Sequence, residues 1–352
     1  MNLTFYPGPS QLYPQVEGYL QDAYSSGILS MNHRSTAFMD MMAQTIAGLH
    51  EKLNIPLDYE VYFTSSATEC WEIISQSLVE KSSLHAFNGA FGAKWFEYAQ
   101  RLHPAFGHEF EFNTLLDVEA SEHFAKSELL CLTHNETSNG TALSYQSLKH
   151  TRKNFAGLIA VDATSSMAGV VLPWEMGDVW FASVQKCFGL PPGLGVLIVS
   201  PRAIEKAKAI GERNHYNSLL FVRDNFQKNQ TPYTPNTLAI YLLGRVMQQV
   251  PPIELVDDEI VKRAEDLYAF FHDEGFEVLV DKPSVRSHTV MALRGAEGWI
   301  NALREKALEN GVLLGKGYGT WKNTSLRIAN FPALTDSDLS RLKKIMESQN
   351  PA

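Results

Sequence analysis

Two residues of opposite charge each follow a buried-strand pattern and could serve the same chemistry. Lys186 comes just after the apolar run 179-VWFAS-183, and Asp162 ends the run 158-LIAVD-162. Parallel strands of an α/β sheet present their carboxyl ends at one edge, so both side chains would face one crevice. A partly desolvated lysine has a neutral amine that can form a Schiff base with a carbonyl group. Alternatively, Lys186 is a surface lysine on a turn and Asp162 is a turn or capping residue.

A third feature is the start of a helix that follows a strand. In 63-FTSSATECWEII-74, Ser66 and Glu69 have the spacing of a capping box. The free N–H groups of a helix N-terminus bind phosphate, and Ala67 and Thr68 would supply the first amides here. The alternative is a helix cap with no further role.

A fourth feature is the aromatic residue Phe91 in 87-FNGAFGAKW-95, which has a glycine on either side. Small neighbours would let a flat ring stack on its phenyl face, although Phe91 could equally be a core residue. Pyridoxal 5′-phosphate (PLP) needs a Schiff-base lysine, a carboxylate at its ring nitrogen and a phosphate site. Lys186 and Asp162 are the candidates for the first two, and no residue pattern indicates a metal site.

The elements that must position these residues form a series of short apolar runs. Several runs are continuously apolar, which is typical of strands covered on both faces in a largely parallel sheet. Helical patterns lie between some of them, at 67–80, 92–103 and 145–154, and this alternation predicts an α/β fold. The seven predicted strands are 61-VYFT-64, 84-LHAF-87, 109-EFEF-112, 129-LLCLT-133, 158-LIAVD-162, 179-VWFAS-183 and 195-GVLIVS-200.

The pattern changes after Pro201, and the C-terminal third predicts a small α+β domain. We predict a large domain over 15–250, a small domain over 251–352, and an N-terminal segment 1–14 that packs near the active site. The predicted elements of the C-terminal part are helices at 236–249 and 257–274, strands at 276–280 and 288–293, a helix at 296–310, a strand at 324–329 and a helix at 335–348.

Composition argues against several other classes of protein. The 352 residues carry a formal net charge of −9 without a basic run, so we expect no nucleic-acid partner. The three cysteines, Cys70, Cys131 and Cys187, form no Cys-x-x-Cys pair and predict a reducing compartment. Neither a secretory signal nor an apolar run near the ~20 residues of a membrane span is present. We therefore expect a cytoplasmic protein that does not contact membranes.

Taken in chain order, the turn 66-SATE-69, Phe91, Asp162 and the pair Gln185-Lys186 resemble the class V aminotransferases of PLP fold type I. The resemblance extends over nearly the whole chain. It implies a large domain with a mostly parallel seven-stranded sheet and a small α+β C-terminal domain. It also implies PLP as the cofactor, with Gln185 among its contacts.

Further short motifs are similar to the phosphoserine aminotransferase family within this class. The segment 5-FYPGPSQLYP-14 resembles its opening Gly-Pro segment, and Thr137 lies in an Asn-Glu-Thr motif whose threonine bonds the ring hydroxyl. The stretch 233-YTPNTLAIYLLG-244 resembles a segment that crosses to the partner's PLP phosphate. The resemblance thus assigns Tyr233 and Thr234 to cofactor binding and implies a homodimer with a composite active site.

Two other motifs resemble substrate-binding segments of that family. Arg327, in 325-SLRIANFP-332, would bind the substrate α-carboxylate with its planar fork. His33 and Arg34, in 32-NHRST-36, would offer a second cationic patch for a distal phosphate or carboxylate. The alternative for His33 and Arg34 is a solvated loop.

The resemblance implies transamination between O-phosphoserine and 2-oxoglutarate, which gives 3-phosphohydroxypyruvate and glutamate in serine biosynthesis. The sequence departs from the family at three places: Thr68 stands where an arginine is frequent, Phe91 where tryptophan is frequent, and Tyr233 where asparagine can occur. Lys316, in 315-GKGYG-319, would supply a further cation if its loop folds over the site. The alternative function is an alanine– or serine–glyoxylate type of aminotransferase.

Three other classes of protein fit the sequence less well. A cysteine desulfurase shares the fold and the PLP lysine but needs a nucleophilic cysteine near its C-terminus, and none lies beyond Cys187. A hydrolase with a nucleophile elbow requires Gly-x-Ser-x-Gly, which is absent. A scaffold without catalytic activity would be expected to have lost Lys186 or Asp162. The sequence therefore favours an active aminotransferase.

Overall fold

The computed structural model describes residues 2–347 and 349, so the end of the predicted helix 335–348 lies outside the described residues. The described residues form a seven-stranded sheet, a four-stranded sheet and a two-stranded ribbon. Their strands are β1 (Leu3–Phe5), β2 (Glu60–Thr64), β3 (Ser83–Phe87), β4 (Ala105–Glu109), β5 (Leu129–Thr133), β6 (Asn135–Glu136), β7 (Thr141–Ala142), β8 (Leu158–Asp162), β9 (Val179–Ser183), β10 (Gly195–Val199), β11 (Val290–Arg294), β12 (Val312–Lys316) and β13 (Ser325–Ala329).

Helices cover the sheets, and none in the described part of the chain is long and apolar enough to cross a membrane. The α-helices are α1 (Val16–Ser25), α2 (Thr36–Leu53), α3 (Ala67–Leu78), α4 (Ala90–Ala99), α5 (Tyr145–Asn154), α6 (Pro201–Ile210), α7 (Leu219–Phe226), α8 (Thr237–Gln249), α9 (Ile253–Asp273), α10 (Glu297–Glu309) and α11 (Asp336–Met346).

The large sheet confirms the predicted seven-stranded, mostly parallel architecture. Its order is β2-β10-β9-β8-β5-β3-β4, and β10 alone runs in the direction opposite to the other six strands. Every residue of β8, β9 and β10 is buried, which explains their continuously apolar sequences. The carboxyl ends of β2, β5, β8 and β9 therefore meet at one edge of the sheet.

Two predicted strands are wrong. The seventh strand is β4, Ala105–Glu109, which ends where the predicted run 109–112 begins. β4 lies at the sheet edge beside β3, and only its first residue, Ala105, is buried, so it lacks a continuous apolar run. The run 276–280 is not a strand either, and Val278 forms only an isolated bridge with Leu293.

The small sheet, of order β1-β12-β13-β11, combines the two ends of the described chain. β1 pairs in parallel with β12, placing Leu3 opposite Val312. Neither β1 nor β12 was predicted from the sequence. Helix α9 contributes Ile260 to the core of the large sheet and Ala264 to that of the small sheet. A division of the chain at residue 250 stays a prediction.

The segment after β1 passes over the backbone that carries Lys186. The Ser10 amide donates to the carbonyl of Gln185 at 3.1 Å, and the Ser10 hydroxyl lies 3.1 Å from the carbonyl oxygen of Lys186. Farther along, the Tyr13 amide donates to the carbonyl of Gly189 at 3.1 Å. The N-terminal residues thus fix the turn on which Lys186 lies.

Candidate active site

A cavity of about 150 Å³ lies at the edge where the parallel strands end. Thr133, Asp162 and Ser183, the last residues of β5, β8 and β9, contribute to its wall. The structure also brings together most of the residues proposed for cofactor binding. These are Ala67, Thr68, Phe91, Thr137, Asp162, Gln185 and Lys186.

Lys186 projects into this cavity from the turn after β9. The side chain is buried, and its Nζ lies 3.1 Å from both Thr137 Oγ1 and Ser165 Oγ. The same Nζ lies 5.4 Å from the centroid of the Phe91 ring. Sequence reasoning missed Ser165, although it lies in the 162-DATSS-166 stretch. These contacts hold the amine at the centre of the proposed site.

The electrostatics of the cavity favour a reactive amine. Burial, followed by the nearby charge of Arg327, lowers the pKa of Lys186 to about 8, while Asp162 opposes the shift. Asp162 is itself buried, and burial raises its pKa. Its Oδ1 accepts from the Thr164 amide at 2.9 Å, which fixes the carboxylate. A cation placed beside Asp162 would stabilise its ionised form.

The turn 66–69, where α3 begins, has the predicted cap in part. Ser66 Oγ accepts from the Glu69 amide at 3.2 Å. The Glu69 carboxylate, however, accepts from the Ser65 amide, at 2.7 Å, and not from the Ser66 amide. The capping box is therefore half formed. The Ala67 amide donates to Ser183 Oγ at 2.8 Å, so Ser183 has its hydroxyl proton available for an anion at this helix start.

Phe91 is positioned by a residue that sequence reasoning missed. The carboxylate of Glu136 accepts from the amides of Phe91 and Gly92 at the start of α4, at 3.2 and 3.1 Å, and from the Ser138 amide at 2.9 Å. Glu136 belongs to the Asn-Glu-Thr motif, which was the available signal. The Phe91 ring stacks on Tyr318 at 4.9 Å between centroids, so the loop after β12 reaches the edge of the site.

Three residues that line the cavity each have a buried side-chain polar atom without a hydrogen-bond partner among the described residues. Burial without a partner is uncommon for such groups, and three around one cavity indicate a polar ligand. Both N–H donors and a hydroxyl are present, which suits a ring with phosphate and hydroxyl substituents. The residues therefore fit PLP. The atoms are Trp71 Nε1, Thr133 Oγ1 and Asn135 Nδ2.

The orientation of the Asn135 amide follows from its neighbours. Ser287 Oγ accepts from the amides of Thr289 and Val290, at 3.1 and 2.9 Å, so its own proton is directed to Asn135 Oδ1. The amide oxygen is thereby occupied, and the amide nitrogen is left for the cavity. Asn135 is a further residue that sequence reasoning did not single out.

Arg327 lies beside the cavity on β13 and is buried. Its Nε donates to the carbonyl of Lys316 at 2.7 Å, and its Nη1 donates to the carbonyl of Thr137 at 3.0 Å. These bonds hold the guanidinium in a fixed plane. Lys316 contributes its backbone here, and its side chain is exposed.

Five of the proposed residues do not line this cavity within one chain: Arg327, which lies beside it, and His33, Arg34, Tyr233 and Thr234. Two of their segments nevertheless meet, because Arg34 Nη1 donates to Gln230 Oε1 at 2.7 Å. Thr234 is exposed. Any role for the last four in binding therefore requires a site outside this cavity or on another chain.

The chain belongs to the class V aminotransferase family, whose model, "Aminotransferase class-V", matches residues 4–292. It is an aminotransferase of PLP fold type I, and the cofactor of this class is PLP. The predicted fold, enzyme class and cofactor are thereby confirmed.

Within this class, the chain is similar to phosphoserine aminotransferases. The crystal structure of such an enzyme from Cytophaga hutchinsonii is 35% identical, has a TM-score of 0.90 and covers 98% of both chains. The phosphoserine aminotransferase of Rhodococcus opacus (strain B4) is 28% identical over 357 residues, which cover 97% of this chain and 93% of that protein. An alanine–glyoxylate aminotransferase from Nostoc sp. has a TM-score of 0.83 at 20% identity, covers 99% of this chain and 95% of its own, and shows the fold alone.

Proposed function

We propose that the protein transfers the amino group between O-phosphoserine and 2-oxoglutarate, giving 3-phosphohydroxypyruvate and glutamate in serine biosynthesis. The 35% identity to a phosphoserine aminotransferase over 98% of both chains supports this assignment. The observation that carries it is the position of Lys186, whose amine lies 3.1 Å from Thr137 Oγ1 and Ser165 Oγ in a cavity that also holds Asp162.

Lys186 would act as nucleophile and then as proton carrier. With a pKa of about 8, roughly a tenth of the amine is neutral at pH 7 and able to attack a carbonyl carbon. Once released, the same amine can take the proton from the substrate α-carbon. PLP, when bound, supplies the electron sink, and the Asp162 carboxylate would keep its ring nitrogen protonated.

Substrate anions require cations in a chain of net charge −9. Arg327 would bind the α-carboxylate with the guanidinium edge that is not engaged with Thr137 and Lys316. His33 and Arg34 would bind the distal phosphate or carboxylate. Because they do not line the cavity of their own chain, we assign them to the partner's site.

The functional unit we propose is a homodimer with composite active sites. Tyr233 and Thr234 would reach the partner's PLP phosphate, and the contact between Arg34 and Gln230 links the two segments that would cross together. We place the enzyme in the cytoplasm, because Cys70, Cys131 and Cys187 are all free thiols.

Substrate specificity tests the proposal. The wild-type enzyme should have a higher kcat/KM for O-phosphoserine than for serine or alanine, with 2-oxoglutarate as acceptor. Lys186→Ala should still bind PLP through its phosphate but should form no covalent link and show no turnover. A preference for serine or alanine that Arg34→Ala leaves unchanged would favour the glyoxylate-type enzyme instead.

A further inference from the structure

Lys94 lies in the wall of the cofactor cavity without an assigned role. It is three residues beyond Phe91 on α4, so the two side chains share a helix face, and both line the cavity. Thr68 and Trp71, from the first turns of α3, line it too. Among the lining residues, Lys94 and Lys186 are the cations, and Lys186 is committed to covalent chemistry.

The ammonium of Lys94 is weakly held. Its Nζ lies 5.9 Å from the centroid of the Tyr98 ring, and the Arg101 guanidinium lies closer to the same ring, at 4.4 Å. In the part of the chain that the structure describes, Lys94 forms no ion pair. An exposed cation–π contact is weak, and a second cation on the same ring weakens it further. The side chain can therefore turn toward an anion in the cavity.

A second group at this end of the cavity also lacks an acceptor. Trp71 is 6% exposed, and its Nε1–H has no partner among the described residues. An indole N–H is a donor only, so its burial without an acceptor is unfavourable until a ligand supplies one. The start of α3 adds N–H groups of the same polarity. Lys94, Trp71 and Thr68 at the helix start line one space, where they would offer a full charge and donors to a bound anion.

We propose that Lys94, together with Trp71 Nε1, binds a phosphate monoester, namely the 5′-phosphate of PLP. This rests on the proposed function. The N–H groups at the start of α3 offer a phosphate only partial charges, and Thr68 adds no full positive charge there. Lys94 would supply that charge from α4. The phosphate of the substrate is the other phosphate group that Lys94 could bind. Lys94, however, lines the cavity together with Thr68 and Trp71. Arg327, which we propose to bind the substrate, reaches the cavity through its bond to Thr137.

Titration of the apoenzyme with PLP and with pyridoxal, which lacks the phosphate, tests this proposal. Lys94→Met should weaken PLP binding roughly ten- to a hundred-fold and leave pyridoxal binding within about two-fold of wild type. Lys94→Arg should retain most of the PLP affinity, and Trp71→Phe should weaken PLP binding by a smaller factor. Lys149→Met is the matched control, because Lys149 lies over the ring of Tyr145, at 5.6 Å, on α5, and should change neither affinity.

Three outcomes would overturn the proposal. Equal PLP affinity in wild type and Lys94→Met would remove the role, and an equal loss for PLP and pyridoxal would show a structural effect. A raised KM for O-phosphoserine with unchanged PLP affinity would assign Lys94 to the substrate phosphate. If the wild-type chain itself forms no covalent link with PLP, the proposed function fails, and this result is distinct from the other three.

Discussion

The guanidinium of Arg327 donates to the backbone carbonyl of Thr137 at 3.0 Å, while the Thr137 hydroxyl lies 3.1 Å from the Lys186 amine. A side chain of the small sheet therefore holds the residue that contacts the reactive lysine. Arg327 also lowers the pKa of Lys186 through its charge. If Arg327 binds the substrate carboxylate, as we propose, these three residues link substrate binding to the protonation state of the amine.

Replacement of Arg327 should separate substrate binding from cofactor binding. Arg327→Lys keeps a positive charge but loses the planar fork, so kcat/KM for O-phosphoserine should fall roughly ten- to a hundred-fold. Covalent attachment of PLP to Lys186, which visible absorbance monitors, should persist. Steady-state kinetics measure the change in kcat/KM. An Arg327→Lys variant with the kcat/KM of wild type would contradict the proposal that Arg327 binds the α-carboxylate.

The pH dependence of the Lys186 amine follows from the groups around it. Only the neutral amine attacks a carbonyl, so the rate at which apoenzyme reacts with pyridoxal should rise with pH through about 8 and then level off. Arg327→Met removes a cation that lowers this pKa, so the profile should move to higher pH. Asp162→Asn removes an anion that raises it, so the profile should move to lower pH. Stopped-flow absorbance measures all three profiles, and shifts in the opposite directions would refute this electrostatic account.

Asp162 should be needed for turnover more than for attachment of the cofactor. Asp162→Ala removes the buried carboxylate that would pair with the protonated ring nitrogen, so kcat should fall severely. The covalent link to Lys186 should still form. Asp162→Glu is the control for charge. Activity of Asp162→Ala within a few-fold of wild type would show that the ring nitrogen has another partner.

Glu136 should stabilise the fold and the placement of Phe91. Glu136→Ala leaves the buried amides of Phe91, Gly92 and Ser138 without their acceptor, and the loss of such charge-assisted bonds should lower the free energy of unfolding by at least about 2–3 kcal/mol. Urea unfolding measures this change. Glu122→Gln, at an exposed position, serves as the control and should have little effect. Equal stability of Glu136→Ala and wild type would exclude this role.

Complementation between two inactive or weak variants tests the composite site. If Arg34 serves the partner's Lys186, a heterodimer of one Lys186→Ala chain and one Arg34→Ala chain has one intact site out of two. Activity should then rise on mixing, well above the mean of the two homodimers. If Arg34 acts within its own chain, neither site of the heterodimer is intact and no rise occurs. Assays after mixed refolding, with sedimentation to confirm exchange, distinguish these results.

The sequence predicted the elements that have a strong local signal. Fully buried strands such as β8 and β9 are recognisable in the sequence as continuous apolar runs. Asp162 and Lys186 were singled out because one ends such a run and the other comes shortly after one. β4 was misplaced because an edge strand covered on one side lacks that signal. β1, with three residues, is recognisable only through its pairing with β12, which lies about 300 residues away in the sequence.

The sequence singled out side chains by their type and spacing, and the structure brings Asp162 and Lys186 together in one cavity. The contributions of Glu136, Ser165 and Asn135 depend instead on where their polar atoms point. Direction is set by tertiary contacts, such as the Ser287 hydroxyl that orients the Asn135 amide, and no local pattern encodes it.

The pairing of β1 with β12 has a consequence for biosynthesis. During translation, Leu3–Phe5 leave the ribosome long before Val312–Lys316 are made, so the N-terminal strand must wait, unpaired, for most of the chain. Ser10 and its neighbours contact the Lys186 turn in the finished fold. The large sheet, whose last strand ends at Val199, can therefore pair early, whereas β1 joins the small sheet only after the final strands emerge.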